Sequence, residues 1–173
     1  MILCLFGATS LGYYLYNQMD KQHEKPDIQK IRKAILRFGQ KFRLQADGSE
    51  EDVEKQLAKY LQIHFRQVRR QFPVGEFSQR ERIDIDIADG TFGIEIKLAS
   101  LLKKTNERNR VFGQIDTYQS RRYGKHRLLV VIVGEAGWDK SPIGIEMKQI
   151  LQSKGAGLVF LQVASPQMIK DSL

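Results

Sequence analysis

A chain of 173 residues with 42% hydrophobic side chains is long enough for one domain with a real core, which excludes wholesale disorder. Twenty-eight Lys and Arg against twenty Asp and Glu leave a net charge of +8, which favours phosphate-rich partners or an anionic membrane surface. One cysteine, Cys4, excludes an internal disulfide and any cysteine-based zinc or iron–sulfur centre; three histidines scattered at 23, 64 and 126 argue against a histidine cage, so a bound metal would be a hard one held by oxygens.

Residues 1–19 carry no charged side chain, and the apolar run closes on Tyr13, Tyr14 and Tyr16. Nineteen uncharged residues fall within the roughly 17–25 of a spanning helix, although the apolar part, about 16 residues or about 24 Å, is short for a core of about 30 Å. Lys21, Lys25, Lys30, Arg32 and Lys33 follow, so an anchor here would leave the rest of the chain on the cytoplasmic side. A cleaved signal peptide fits poorly, because no positive residue precedes the apolar run. A buried N-terminal helix, or a true start at Met19, would account for the same segment.

Residues 27–43 are predicted as a basic helix, with Ile28, Ile31, Ile35 and Phe38 on one face and Gly39 weakening the last turn. Residues 20–48 hold eight basic side chains against four acidic ones, which suits a membrane, a phosphate backbone or simply a solvated face. Residues 45–50 (QADGSE) are expected to be a linker turn. Ser49 with Asp52 makes an approximate capping box, opening a helix whose buried stripe is Val53, Leu57, Tyr60 and Leu61.

Three strands are expected next. Phe65 to Val74 is closed by Pro73 and Gly75; Arg80 to Ile87 sets Ile83, Ile85 and Ile87 against Arg82, Asp84 and Asp86. After the Asp89-Gly90 hairpin signal, Phe92 to Leu98 sets Ile94, Ile96 and Leu98 against Glu95 and Lys97. A helix over 106–122, an apolar strand from Leu128 to Val133, a helix from Ser141-Pro142 to Lys154-Gly155 and a strand from Leu158 to Val163 complete the chain. The order predicts an α/β fold, a mixed sheet with helices on both faces and an N-terminal helical extension. The domains are then an apolar segment 1–19, a basic helix and linker 20–48, and a main domain 49–173.

The chemistry concentrates in residues 82–97, RIDIDIADGTFGIEIK. An antiparallel hairpin brings Asp84 and Glu95 together on one face, with Lys97 two residues along. Paired carboxylates suit Mg²⁺, with Mn²⁺ as its substitute, and such an ion polarises phosphate and acidifies bound water. Lys97 would orient that water or stabilise charge on phosphorus. Cross-strand ion pairs on a solvated hairpin would use the same residues. On the next helix Gln114 and Tyr118 share a face that Arg121 and Lys125 are expected to continue, while Phe112 and Ile115 point to the core. An amide, a phenol and two cations suit a nucleic-acid backbone. Gly113 in mid-helix suggests a close neighbour.

Asp84, ten intervening residues, Glu95-Ile96-Lys97, and then Gln114-Ile115-Asp116-Thr117-Tyr118 resemble the PD-(D/E)xK nuclease superfamily, with the Gln-x-x-x-Tyr motif of its RecB-type branch. The resemblance runs from about Glu51 to Val133. It implies a restriction-endonuclease-like core and metal-dependent hydrolysis of phosphodiester bonds in DNA, or a catalytically silent nucleic-acid-binding module of the same fold. By this resemblance Asp84 and Glu95, with the carbonyl of Ile96, hold the metal, Lys97 assists the attacking water, and Gln114 orients substrate or Lys97. An acid from the preceding helix also joins the site; Glu54 is the first candidate and Glu51 the second. The chain departs from the pattern in having Ile83, not Pro, before Asp84, and in an added acid, Asp86, either a further ligand or a partner of Arg82. Cutting both strands of a duplex would call for two active sites, as in a homodimer.

Between Leu98 and Arg127 eight cations, Lys103, Lys104, Arg108, Arg110, Arg121, Arg122, Lys125 and Arg127, stand against two acids, Glu107 and Asp116. Lys103, Lys104, Tyr118, Arg121, Arg122 and Lys125 are the candidate nucleic-acid contacts. His64 and Trp138 are expected to be packing residues, and His126 a solvated one.

Overall fold

The computed structural model describes residues 25–42, 48–75 and 81–162. The apolar segment 1–19 lies outside them, and so do Arg43 of the expected basic helix, residues 45–47 of the expected linker, Arg80 of the expected second strand and Val163 of the expected last strand. Among the described residues no helix is long and apolar enough to cross a membrane.

Asp27 opens the first helix by accepting from the N–H groups of Gln29 and Lys30 at 2.8 and 2.9 Å, which satisfies two of the helix's unpaired donors. Helix α1 (Ile28–Lys41) buries Ile31, Ile35 and Phe38 of the predicted face and adds Ala34, while Ile28 is only partly buried. Gly39 does not end it: a Cβ there would lie 2.6 Å from a Leu161 methyl, so the glycine admits a strand side chain instead. Ser49 caps α2 (Glu50–His64) in a full capping box, its hydroxyl accepting from the Asp52 N–H while the Asp52 carboxylate accepts from the Ser49 N–H. Glu54 joins Val53, Leu57, Ala58 and Leu61 on its buried face; Tyr60 is only partly covered.

Strand β1 (Val68–Pro73) starts three residues later than expected, because the Phe65 N–H still closes α2 onto Leu61 and Gln67 has φ of 53°. Strands β2 (Arg82–Ile87) and β3 (Phe92–Leu98) form the expected hairpin through a four-residue loop, with Ala88, Asp89 and Gly90 all at positive φ. Helix α3 (Thr105–Tyr118) crosses to β4 (Leu128–Gly134), and α4 (Pro142–Ser153), capped by Ser141, crosses to β5 (Gly157–Gln162). The sheet order is β1-β2-β3-β4-β5, the first two pairings antiparallel and the last two parallel.

Every residue of β4 is buried, and its side chains divide between two cores. Leu129, Val131 and Val133 join α1 and α2 on one face; Leu128, Val130 and Ile132 join α3 and α4 on the other. The fold is therefore an α/β mixed sheet with helices on both faces.

Three expectations are corrected. Ile83 does not share a face with Ile85 and Ile87: it packs with α3 and α4, they with α1 and α2, so the alternation breaks at Asp84. Helix α3 ends at Tyr118 in a five-residue π turn, Gln119–Tyr123, closed by Gly124 N–H on the Gln119 carbonyl at 3.1 Å. The wider turn changes phase, so Arg121 and Lys125 do not continue the Gln114–Tyr118 face. Gly113 has no close neighbour, since a Cβ there would meet nothing within 4 Å.

Candidate active site

Strands β2 and β3 pair at Ile87↔Phe92, Asp86↔Gly93 and Ile85↔Ile94, and the pairing stops short of Asp84 and Glu95. Beyond that point the Asp84 side chain replaces the ladder: its Oδ2 accepts from the Ile96 N–H at 2.7 Å. On its other flank the Gln71 amide donates to Asp84 Oδ1 at 3.3 Å and to Glu54 Oε2 at 2.5 Å. Gln71 sits inside β1 with φ of 48°, a left-handed conformation that costs a non-glycine residue free energy. The β1–β2 pairing skips the Gln71–Asp84 step, between Arg70↔Ile85 and Phe72↔Ile83, so the strained residue and the break in alternation face each other.

Of the two helix acids considered, Glu54 reaches this place. It is 3% exposed and also accepts from Arg70 Nε at 2.7 Å. Glu51 is exposed and pairs with Lys55 one turn along at 2.7 Å. Glu50 was not anticipated, yet it accepts from the Leu98 N–H at 2.9 Å and lies 3.5 Å from Lys97 Nζ. Its signal was present: Glu50 and Glu54 are four apart and therefore share a helix face. Gln71 had no such signal, because its position depends on a backbone conformation that strand periodicity does not encode.

Glu95 is 2% exposed; Oε1 takes Lys97 Nζ at 2.8 Å, and Oε2 is buried without any hydrogen-bond partner. Burial, then the neighbouring Asp84 charge, push the Glu95 carboxyl up to about 7 despite Lys97. Burial also raises Asp84, against the pull of Lys97 and the Ile96 N–H. Burial alone would lower Lys97, but Glu95, Glu50 and Asp84 outweigh it and hold the ammonium above its ordinary value.

Tyr118 closes the wall on the α3 side. Its hydroxyl donates to the Arg82 carbonyl at 2.8 Å and receives the Gln114 amide at 3.3 Å, while Gln114 Oε1 is buried and unpaired. Burial first, and then the charges of Glu95 and Asp84, raise the Tyr118 phenol. At 2% exposure Tyr118 is a core residue beside the carboxylates, not the outward backbone contact the sequence suggests.

Asp86 is drawn away from Asp84 altogether. It is fully buried, accepting from the Tyr123 hydroxyl and from Arg69, each at 2.9 Å; Arg82 instead donates to the Gln71 carbonyl. Among the basic candidates, Lys103, Lys104 and Lys125 are exposed. Arg121 pairs with Glu81, and Arg122 lies over the Phe72 ring at 4.5 Å. Trp138 stacks on Phe160 at 5.9 Å, His64 packs beside Tyr60, and His126 is exposed.

The structure thus brings Asp84, Glu95, Lys97 and Glu54 to one end of the β2–β3 gap and adds Glu50 and Gln71, while Gln114 is linked to it only through the Tyr118 hydroxyl. A strand residue points its N–H and C=O to the same edge, so the Ile96 carbonyl faces the gap that its N–H faces. Among the described residues no group of three or more His, Cys, Asp or Glu side chains is arranged to hold a metal. No protein-family model, curated protein or solved structure matches the chain.

Proposed function

We propose that the protein is a metal-dependent nuclease with a restriction-endonuclease-like core, hydrolysing phosphodiester bonds in DNA. The observation that carries this reading is the buried, unpartnered Oε2 of Glu95 beside Asp84 and Lys97. A buried polar atom left without a partner costs free energy, and a cation would supply what it lacks. Two carboxylates and a backbone carbonyl fit Mg²⁺, which keeps most of its waters and takes one or two protein carboxylates rather than a full cage. When bound, the ion would polarise the phosphate and acidify a water.

The chain's own residues would do the rest. Asp84 and Glu95 would carry the negative charge that holds the ion. Lys97, kept protonated by the surrounding carboxylates, would stabilise charge building on phosphate oxygens. Glu50 would fix Lys97, and Gln71 would space Glu54 from Asp84. Gln114, with its free carbonyl oxygen, would orient water or substrate. Lys103 and Lys104, which follow β3 at the Lys97 end of the sheet, would hold the phosphate backbone; Lys125, beside Gly155 at the opposite strand ends, would meet only a ligand that spans the sheet. The test is incubation of the full chain with plasmid and single-stranded DNA in Mg²⁺, Mn²⁺ or chelator. Metal-dependent cleavage that disappears in both Asp84→Asn and Lys97→Met supports the reading; folded protein that cleaves in neither metal overturns it.

One observation favours a second reading, a nucleic-acid-binding module without catalysis. Lys97 already places its ammonium on Glu95 and Glu50, so the carboxylates have a cation of their own. That module would bind DNA with steep salt dependence and no dependence on Mg²⁺.

A further inference from the structure

We infer that the outer face of α1 is a second surface for the sugar-phosphate backbone of nucleic acid, separate from the carboxylate site. Helix α1 carries Lys30, Arg32, Lys33, Arg37 and Lys41 and no acidic residue, and all five are exposed. Among the described residues Arg32, Lys33, Arg37 and Lys41 make no ion pair. Gln29, Lys33, Arg37 and Lys41 follow one another at four-residue steps, so they form a single row along the helix, about 6 Å apart and about 18 Å long. Like charges one turn apart repel and work against the helix. A row of anions laid along them removes that repulsion, and an amide with three cations is the donor set that phosphate oxygens accept.

An anionic membrane would offer phosphates too, but α1 lacks the means to enter one. Its apolar face is spent on the core, with Ile31 and Ile35 fully buried, and only Leu36, 44% exposed, stands among the cations. The position of the helix also fits nucleic acid. Gly39 packs on Leu161, which is in register with Val133, and Val133 with Leu98, the neighbour of Lys97. The C-terminal half of α1 therefore lies at the strand ends that carry the carboxylate site, two strands or about 10 Å across the sheet. A strand or duplex engaged at Lys97 would extend over this row. The choice of nucleic acid over lipid rests in part on the proposed nuclease reading; the basic row does not.

The test is binding of the full chain to a labelled 30-base-pair duplex, in chelator so that nothing is cleaved, across a salt series. Lys33→Gln/Arg37→Gln/Lys41→Gln is expected to weaken binding by about tenfold or more and to flatten the log–log salt slope by roughly 2 to 3. Lys140→Gln/Lys148→Gln, cations outside α1 beyond the other sheet face, should change the slope by less than 1. Circular dichroism should show the triple variant as helical as the parent; if it is not, Lys33→Glu/Arg37→Glu, which preserves helix propensity, takes its place in the same series. No binding by the parent, an unchanged affinity and slope, or α1-dependent binding to phosphatidylserine vesicles with none to the duplex overturns the inference. Absence of cleavage with α1-dependent binding intact would sink the nuclease reading alone, and cleavage with α1-independent binding would sink this inference alone.

Discussion

The Asp84 carboxylate accepts the Ile96 N–H at 2.7 Å, so a side chain takes the place of a ladder bond where β2 and β3 part. A backbone hydrogen bond there would have closed the strands over one another. With the side chain inserted, the strands stay apart, and Glu95 next to Ile96 is left buried with one oxygen unpaired. On either side of Asp84, Ile83 and Ile85 pack into opposite cores. The consequences of the Asp84 contact can be measured.

Asp84 and Glu95 both have raised pKa values, so in both the folded state disfavours the charged form. Glu95→Gln and Asp84→Asn are therefore expected to leave stability unchanged or raise it at pH 8, while cleavage falls at least about a hundredfold, roughly 2.7 kcal/mol of transition-state stabilisation. Urea titration beside a plasmid assay checks both halves. A variant that loses activity and stability together would point to a purely structural role.

The pH dependence has a definite sign. Glu95 moves from 4.5 to about 7 on folding, so its folded form binds a proton more tightly than the unfolded chain does. Its contribution is fully present below about pH 4.5 and is lost as pH rises through about 7, a change of at most about 3 kcal/mol. Unfolding free energy measured from pH 4.5 to 8 should fall more steeply in the parent than in Glu95→Gln. Equal slopes would mean that Glu95 is not buried as described.

Mg²⁺ should stabilise the fold through the same carboxylates. At ten times its Kd the ion is expected to add about 1.4 kcal/mol to the parent and nothing to Asp84→Asn. Thermal denaturation with and without Mg²⁺ reads this without any substrate. A shift that persists in Asp84→Asn would locate the ion elsewhere.

Glu50 and Glu51 are adjacent in sequence and should behave differently. Glu50→Ala removes the partner of the Leu98 N–H and loosens Lys97, costing about 1–2 kcal/mol of stability and about tenfold in cleavage. Glu51→Ala breaks only an exposed pair with Lys55 and should stay within about 0.5 kcal/mol. Similar losses in the two variants would remove Glu50 from the site.

Much of this protein is legible without coordinates, because local physical chemistry decides it. The Ser49 capping box, the Ser141-Pro142 start, the apolar row of α1, the run of β4 and the turn at Asp89-Gly90 are all properties of residues within a few positions of one another. Hairpin spacing also predicts Asp84 near Glu95 with Lys97 two residues along, and the two carboxylates are neighbours although the ladder ends one step short of them. Tertiary structure decided the rest. Strict alternation would put Asp84 and Asp86 together; instead Asp86 is held by Tyr123, 37 positions away, and Asp84 by Gln71 and Ile96. The left-handed turn at Gln71 and the π turn after Tyr118 change phase in ways that a fixed period of 2 or 3.6 cannot represent. Nor does the sequence show that Glu95 is driven to about 7, since that shift comes from desolvation and a neighbouring charge. Both exist only once helices from distant parts of the chain have covered the sheet and excluded water from its edge.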